Sequence, residues 1–464
     1  MKGHLFFIGI VGHAMRGLAL AAHGLGYEVT GLDPAAEDGV ATEWLSEHKL
    51  SWSRDFEPAM LDGITAVIVT GAHATRDFPA IIEAEKRRIP IKSSAQLFGE
   101  LTSGEHVVSV VGTHGKTTTT SLITWILESN GAHPDFLIGI RPFNFDTSVR
   151  LESSKVAVVE GDEYRASMLE TKSKVQYYHP DVLVLTSVEH DHPDLFPTFK
   201  SVEDRFTEVV KALPASGRLI VCADNKAAVS VAKSAPCPVT SYSLESGDYI
   251  ARDIVYQPTG IEFDIARSGT VLGRIAVGLY GKHNVWNVLA ATAAALEEHL
   301  TINEVVSAAA SFKGAYRRFN VLSPVTADVT VIDDYAHHPT EVATNIEAAK
   351  LHFPGRRVVV LFRPHTYSRT QALLPEYKQA FTRADLVYIT GIEGAREAGS
   401  KHTVSGNDIV QALKTPALYV PDRDELLSRV KLDAKLGDVL LCFTVSGYED
   451  IAGTLATELN QNRP

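Results

Sequence analysis

The chain has 464 residues, 45% of them hydrophobic and 22% charged, with a formal net charge of -12. That length predicts three domains, and the composition excludes a disordered or fibrous chain, while the negative charge argues against nucleic acid or an anionic membrane as a general partner. The dispersed Cys222, Cys237 and Cys442 exclude a disulfide framework and suit buried thiols in a reducing cytoplasm, and no apolar run is long enough to enter a membrane as a spanning helix.

Leu5-Phe-Phe-Ile-Gly-Ile10 reads as a buried strand, followed by a turn with Gly9, Gly12 and Gly17, a helix to Gly24, and a strand from Tyr27 to Leu32 ending at Asp33. This is a βαβ nucleotide-binding unit. Its dinucleotide fingerprint is incomplete, because Val11 and Ala14 stand where further glycines belong. Ala66-Val-Ile-Val-Thr70 and Ile89-Pro-Ile91 continue the alternation, so a first, Rossmann-like domain is expected over 1–105.

The apolar run His106-Val-Val-Ser-Val-Val111 then leads into Gly112-Thr-His-Gly-Lys-Thr-Thr-Thr-Thr120 and an amphipathic segment. A strand, a glycine turn carrying Lys-Thr and a helix make a phosphate cradle, which points to ATP or GTP. Gly112, Thr113, His114, Gly115 and Thr118 supply backbone and cap, Lys116 a point charge, and Thr117 a hydroxyl for Mg²⁺. The first glycine lies closer to Gly115 than in the usual P-loop spacing. Two further apolar runs, Val156-Ala-Val-Val159 and Val182-Leu-Val-Leu-Thr-Ser-Val188, end at Glu160 and Glu189, where a parallel sheet binds ligands. Glu160 with Thr117 makes a candidate Mg²⁺ site, and His192 of Glu189-His-Asp-His192 a candidate second one. His190 reads as a solvated or capping residue. A central, mostly parallel P-loop domain over 106–315 is expected.

Gly281-Lys-His-Asn-Val-Trp-Asn287 opens an alanine-rich helix whose His283, Asn284 and Asn287 can cap it or meet a base edge. Arg317 and Arg318 follow, able to reach phosphate or to form surface ion pairs. Strands are then predicted at 329–332, 358–362, 386–390, 418–420 and 439–443, giving a C-terminal Rossmann-like α/β domain over 316–464. Asp333-Asp-Tyr-Ala-His-His-Pro339 and Phe362-Arg-Pro-His-Thr-Tyr-Ser-Arg-Thr370 follow two of those strands, and their polar density argues for a binding face.

Together these motifs, in this order over essentially the whole chain, resemble the Mur ligase family of ATP-dependent amide-forming enzymes in peptidoglycan precursor synthesis. The resemblance implies a three-domain α/β protein of the cytoplasm, monomeric or dimeric, serving cell-wall biogenesis and so cell shape and division. Its substrates would be UDP-N-acetylmuramate and an amino acid or short peptide, with ATP and Mg²⁺. It implies that Lys116, Glu160 and His192 are catalytic, with Thr117, Glu160 and His192 as metal ligands. ATP would be held by Gly112 to Thr118, His283, Asn284, Asn287, Arg317, Arg318 and Asp334. The UDP-sugar would be held by Gly9, Gly12, His13, Ala14, Met15 and Asp33, and the acceptor by His337, His365, Tyr367 and Arg369. The sugar carboxylate would attack the γ-phosphate of ATP, and the amine would then attack the resulting acyl phosphate.

Within the family, Gly9 to Gly17, Asp334 to Pro339, Arg363 to Thr370 and Gly394-Ala-Arg-Glu-Ala-Gly399 are similar to the L-alanine-adding branch. Asn144 to Arg150 and Asp162 to Val175 are similar to the branch that recycles a murein tripeptide. The carbamylated lysine of several members is absent, because Phe206 stands at its ungapped position, and Thr444-Val-Ser-Gly-Tyr-Glu-Asp450 replaces the usual glycine-rich turn. Readings outside an active ligase are a P-loop kinase, a dinucleotide-dependent oxidoreductase and a non-catalytic nucleotide-binding homologue.

Overall fold

A computed structural model describes residues 2–70, 75–323, 327–397 and 403–461. Of the Gly394–Gly399 motif, Ala398 and Gly399 lie outside them. The chain forms two compact units: Met1–Val188, Glu203–Asp248 and Ala290–Ala308 make one, and Glu189–Val202, Tyr249–Leu289 and Ala309–Pro464 the other.

The first unit begins with a five-stranded parallel sheet in the order Ser51–Ser53, Glu28–Leu32, His4–Ile8, Ala66–Val69, Ile91–Ser93. Its core joins Phe6, Ile8, Leu32, Val67 and Val69 to Ala80, Ile81 and Ala84 of the helix Pro79–Arg87. The opening strand stops two residues sooner than its apolar run, because Gly9 takes φ +80° and donates its N–H to Leu32 O. The last strand likewise falls on Ile91–Ser93, after Pro90 rather than around it.

Further strands of the first unit run in the order Val239–Ser243, Arg218–Cys222, Val182–Leu185, His106–Val111, Val156–Glu160, Asp135–Leu137, Val149–Arg150. All neighbours are parallel except the final pair. The run expected to extend through Val188 ends as a strand at Leu185, and Thr186 and Ser187 turn to other work.

In the second unit, Tyr249–Gln257, Gly260–Arg267 and Thr270–Val277 form an antiparallel meander that apolar runs alone did not disclose. Its six-stranded sheet runs Asn320–Val321, Thr330–Asp334, Val439–Phe443, Val358–Phe362, Leu386–Ile389, Ala417–Tyr419, parallel after the first pair. Alternation along one strand divides the core: Val358, Val360 and Phe362 face one apolar cluster, Val359 and Leu361 another. Covering both faces is what makes this strand read as an unbroken apolar run. Each fully buried side chain of this size adds about 1.5–3 kcal/mol.

Candidate active site

The first unit holds the phosphate cradle. Val110 pairs with Glu160 across neighbouring strands, so the turn at Gly112 and the Glu160 carboxylate leave the sheet at the same edge. Gly112 takes φ +135°, and a Cβ there would lie 2.1 Å from Thr186 Oγ1, so no side chain fits. Thr186 donates its hydroxyl to His114 O at 2.6 Å, while Ser187 accepts the amides of Thr113 on its carbonyl and His114 on its hydroxyl, both at 3.0 Å. These two residues, read from sequence as strand, are the brace of the cradle. Gly115 at φ +80° then releases the helix Lys116–Ser129.

Lys116 Nζ donates to Gly112 O at 2.7 Å and lies 3.4 Å from Glu163 Oε2 and 4.0 Å from Asp162 Oδ1. Burial disfavours its charge, but Glu163, Asp162 and Glu160 outweigh that and push its pKa above the usual lysine range. Asp162 is half-buried and desolvation opposes its charge, yet Lys174 at 2.8 Å and then Lys116 hold its pKa down to about 2. Thr117 Oγ1 donates to Glu160 Oε1 at 2.8 Å, and the other Glu160 oxygen accepts the Gly139 amide at 2.7 Å. Adjacent ligands of an octahedral ion with ~2.0–2.1 Å bonds lie about 2.8–3.0 Å apart, so this oxygen pair fits Mg²⁺.

At the N-terminal turn, Asp33 Oδ2 accepts the Val11 amide at 3.0 Å and Gly12 precedes the helix His13–Gly24. Gly12 and Ala14 are exposed, whereas the Met15 side chain belongs to the core, leaving only its backbone for a ligand. The His13 pKa is lowered by partial burial and then by Arg16 and Arg141. Those two arginines are cations at a helix start that the sequence motifs did not assign.

The second unit gathers the remaining candidates. Gly281 at φ +87° precedes the helix Lys282–Glu297, where Asn284 Nδ2 donates to Tyr280 O at 2.7 Å and Asn287 Nδ2 to Asn284 Oδ1 at 2.9 Å. Asn284 also lies 3.1 Å from His283 Nε2, so the three form one network. The two arginines separate. Arg317 is buried, ion-paired to Asp333 at 3.2 Å, and bonded to the Thr444 hydroxyl at 2.6 Å and to the Thr444 carbonyl. Arg318 is half-buried and sits over the Tyr335 ring. Thr444, first residue of the unusual turn, thus anchors Arg317. Asp334 accepts the Phe319 and Ala336 amides at 2.6 Å each. Burial raises its pKa to about 6 against the opposing charge of Arg318.

His338 caps the helix Pro339–His352, with Pro339 in its first turn and Glu341 accepting the His337 and His338 amides at 3.1 and 3.2 Å. Part of this motif's polar density is therefore helix capping. His337 donates Nδ1–H to Tyr335 O at 2.9 Å, which leaves Nε2 as the lone-pair nitrogen. Burial, then Arg369, lowers its pKa to about 4, so it is neutral at pH 7. Its ring meets that of His365 edge to face at 5.4 Å. Arg369 is 1% exposed and pairs with Asp191. Tyr367 starts the short helix Tyr367–Ala372 that carries Arg369. His192 follows Asp191 in this same unit with φ +53°. Phe206, at the ungapped position of the family's lysine, is fully buried.

A cradle with strand-end carboxylates, joined to a parallel α/β sheet rich in imidazole and guanidinium, is the furniture of a nucleotide-dependent transfer enzyme. Models of the Mur ligase family catalytic domain, the Mur ligase middle domain and the Mur ligase glutamate ligase domain match residues 4–106, 110–295 and 317–444. The chain belongs to the Mur ligase family and is an ATP-dependent ligase of three α/β domains. It is 36% identical over 452 residues to UDP-N-acetylmuramate–L-alanine ligase of Leptothrix cholodnii, covering 94% of each chain. Its fold matches UDP-N-acetylmuramate–alanine ligase MurC of Thermotoga maritima with a TM-score of 0.77, 21% identity and 97% of each chain covered. It also matches a murein peptide ligase of Psychrobacter arcticus, with a TM-score of 0.72, 26% identity and 100% of each chain covered. No helix among the described residues is long and apolar enough to cross a membrane.

Proposed function

We infer that this chain joins L-alanine to UDP-N-acetylmuramate, consuming ATP and releasing ADP and phosphate. The Leptothrix relative's name supports the pair of substrates. The observation that carries the chemistry is the cradle, with Lys116 braced over Gly112 and the Thr117 hydroxyl 2.8 Å from Glu160. Residues 1–105 take the UDP-sugar, 106–315 the ATP and 316–464 the acceptor.

The sugar carboxylate attacks the γ-phosphorus, a P–O bond to ADP breaks, and an acyl phosphate forms; the amine nitrogen then attacks the acyl carbon and phosphate leaves. An anion attacking an anion needs positive charge held in advance. Lys116 supplies it by exchanging Glu163 for phosphate oxygens. Thr117 and Glu160 would hold Mg²⁺, which would supply positive charge against the phosphates, and His192 would be the candidate ligand of a second ion. His283, Asn284 and Asn287 hold the base, and Arg318 with Asp334 approaches the phosphates, while Arg317 supports them from within the sheet. Gly9, Gly12, His13, Ala14 and Met15 offer their backbone to the UDP diphosphate, and Asp33 shapes that turn. Neutral His337 lines the acceptor site beside His365 and Tyr367, its Nε2 lone pair placed to accept a hydrogen bond from the acceptor's ammonium. The protein works in the cytoplasm as a monomer or homodimer.

The second reading, ligation of a murein tripeptide, is favoured by the Asp162–Lys174 segment and the Psychrobacter neighbour. Phosphate release from ATP and UDP-N-acetylmuramate, compared with L-alanine, L-serine, glycine and the tripeptide, separates the two. L-alanine should give the highest kcat/KM; turnover with the tripeptide alone would replace the first reading by the second.

A further inference from the structure

Within the second unit, consecutive residues of the segment Glu189–Val202 are each grasped by a different side chain of the C-terminal sheet's loops and helices. Glu189 Oε2 accepts the Thr340 hydroxyl at 2.7 Å. His190 O accepts from His338 Nε2 at 3.2 Å, consistent with His338 Nδ1 receiving the Thr340 amide. Asp191 Oδ1 accepts from Arg369 Nε at 2.7 Å. The same Asp191 oxygen receives the His192 amide at 2.7 Å, and His192 holds a left-handed φ of +53°, uncommon for a non-glycine residue. Asp191 is therefore the joint between Arg369 and the backbone that aims His192.

Arg369 has little left for a substrate. It is 1% exposed, its Nε is taken by Asp191, and its NH1 is shared between His365 Nδ1 at 2.9 Å and His365 O at 3.3 Å. An acceptor carboxylate would have to displace Asp191 from a buried, charge-assisted bond to reach it. We propose that Arg369 is a positioning residue: through Asp191 it fixes the backbone of His192, and through His365 it fixes the acceptor face, so that one guanidinium sets both. It deepens the ligase reading and rests on it only for its kinetic consequences.

The test uses the full-length protein and the variants Arg369→Gln, Arg369→Lys, Asp191→Asn and the Arg369→Gln/Asp191→Asn double. Hydrogen exchange reads the loop whatever the enzyme does. Amides of 189–196 should exchange at least about tenfold faster in Arg369→Gln and Asp191→Asn, with the strands Thr330–Asp334 and Val439–Phe443 unchanged. In turnover, each single variant should lose about 100-fold in kcat with KM for ATP held within about threefold, as misplacement of a reacting group does. The double variant should be no worse than the worse single, because both remove one interaction. Arg369→Lys, which keeps the charge but not the fork that serves Asp191 and His365 together, should recover only part of the loss and guards against a variant that fails to fold. Unchanged loop exchange in Arg369→Gln would overturn the proposal, and so would losses that multiply. An Arg369→Gln variant with normal kcat and a KM for the amine raised about 30-fold would instead make Arg369 an acceptor ligand. Altered loop exchange in a protein that ligates no amine would leave the positioning role standing and remove the ligase reading.

Discussion

The phosphate cradle and the histidine–arginine cluster both hold polar and charged side chains in fixed places, by opposite means. In the cradle the backbone does the work: glycine conformations, strand pairing and a helix start put Lys116, Thr117 and Glu160 in place, with Thr186 and Ser187 as braces. In the cluster, side chains from separate stretches hold one another, Arg369 to Asp191 and His365, His338 to His190, Arg317 to Asp333 and Thr444. A site built on backbone is written as a compact motif. A network of side chains is scattered through the chain, and each member read singly looks like a surface charge or a cap.

The contrast predicts that damage in the cradle is chemical and damage in the cluster is divided between chemistry and stability. Lys116→Ala should lower ATP consumption at least ~10³-fold, with UDP-sugar affinity by calorimetry nearly intact. Near-normal turnover would remove the cradle from the mechanism. Glu160→Ala should cost about 100-fold and shift the Mg²⁺ titration to much higher concentration, because half of the oxygen pair is gone. A titration that overlays the wild type would take Glu160 out of the metal site.

In the cluster, the neighbouring arginines should part company. Arg317→Ala breaks a buried ion pair and should cost about 3–5 kcal/mol in urea unfolding. Arg318→Ala should leave stability within about 1 kcal/mol and raise KM for ATP about tenfold. Equal losses of stability would erase the distinction.

The last effect is read as a slope against pH. The folded pKa of His337 is depressed to about 4 from an ordinary 6.5, so the unfolded chain binds the proton first as pH falls. Stability from this group is full above pH 6.5 and is lost as pH falls from 6.5 toward 4, on the order of 3 kcal/mol. His337→Asn should flatten that part of the stability curve; an unchanged slope would assign the acid sensitivity elsewhere.

Legibility followed the same divide. Runs such as 106–111 and 358–362 announced buried parallel strands because apolar side chains are needed on both faces. The meander at 249–277 escaped because it is half-buried, although the alternation of Ile261, Phe263 and Ile265 with Glu262 and Asp264 carried the signal of period two. The cradle's residues were readable from spacing. Asp191 was passed over between two histidines, and Arg317 could not be told from Arg318, because only the fold decides which guanidinium turns inward toward Thr444.

Amide ligation by this chain requires transfer of the γ-phosphate to a carboxylate. With UDP-N-acetylmuramate labelled by ¹⁸O in its carboxyl group, ligation of L-alanine should deliver one labelled oxygen to the released phosphate, because the acyl oxygen that attacked phosphorus leaves with it. Phosphate released at full rate without label would mean that the carboxylate never attacked ATP, and would contradict the assignment of this chain's cradle to amide ligation.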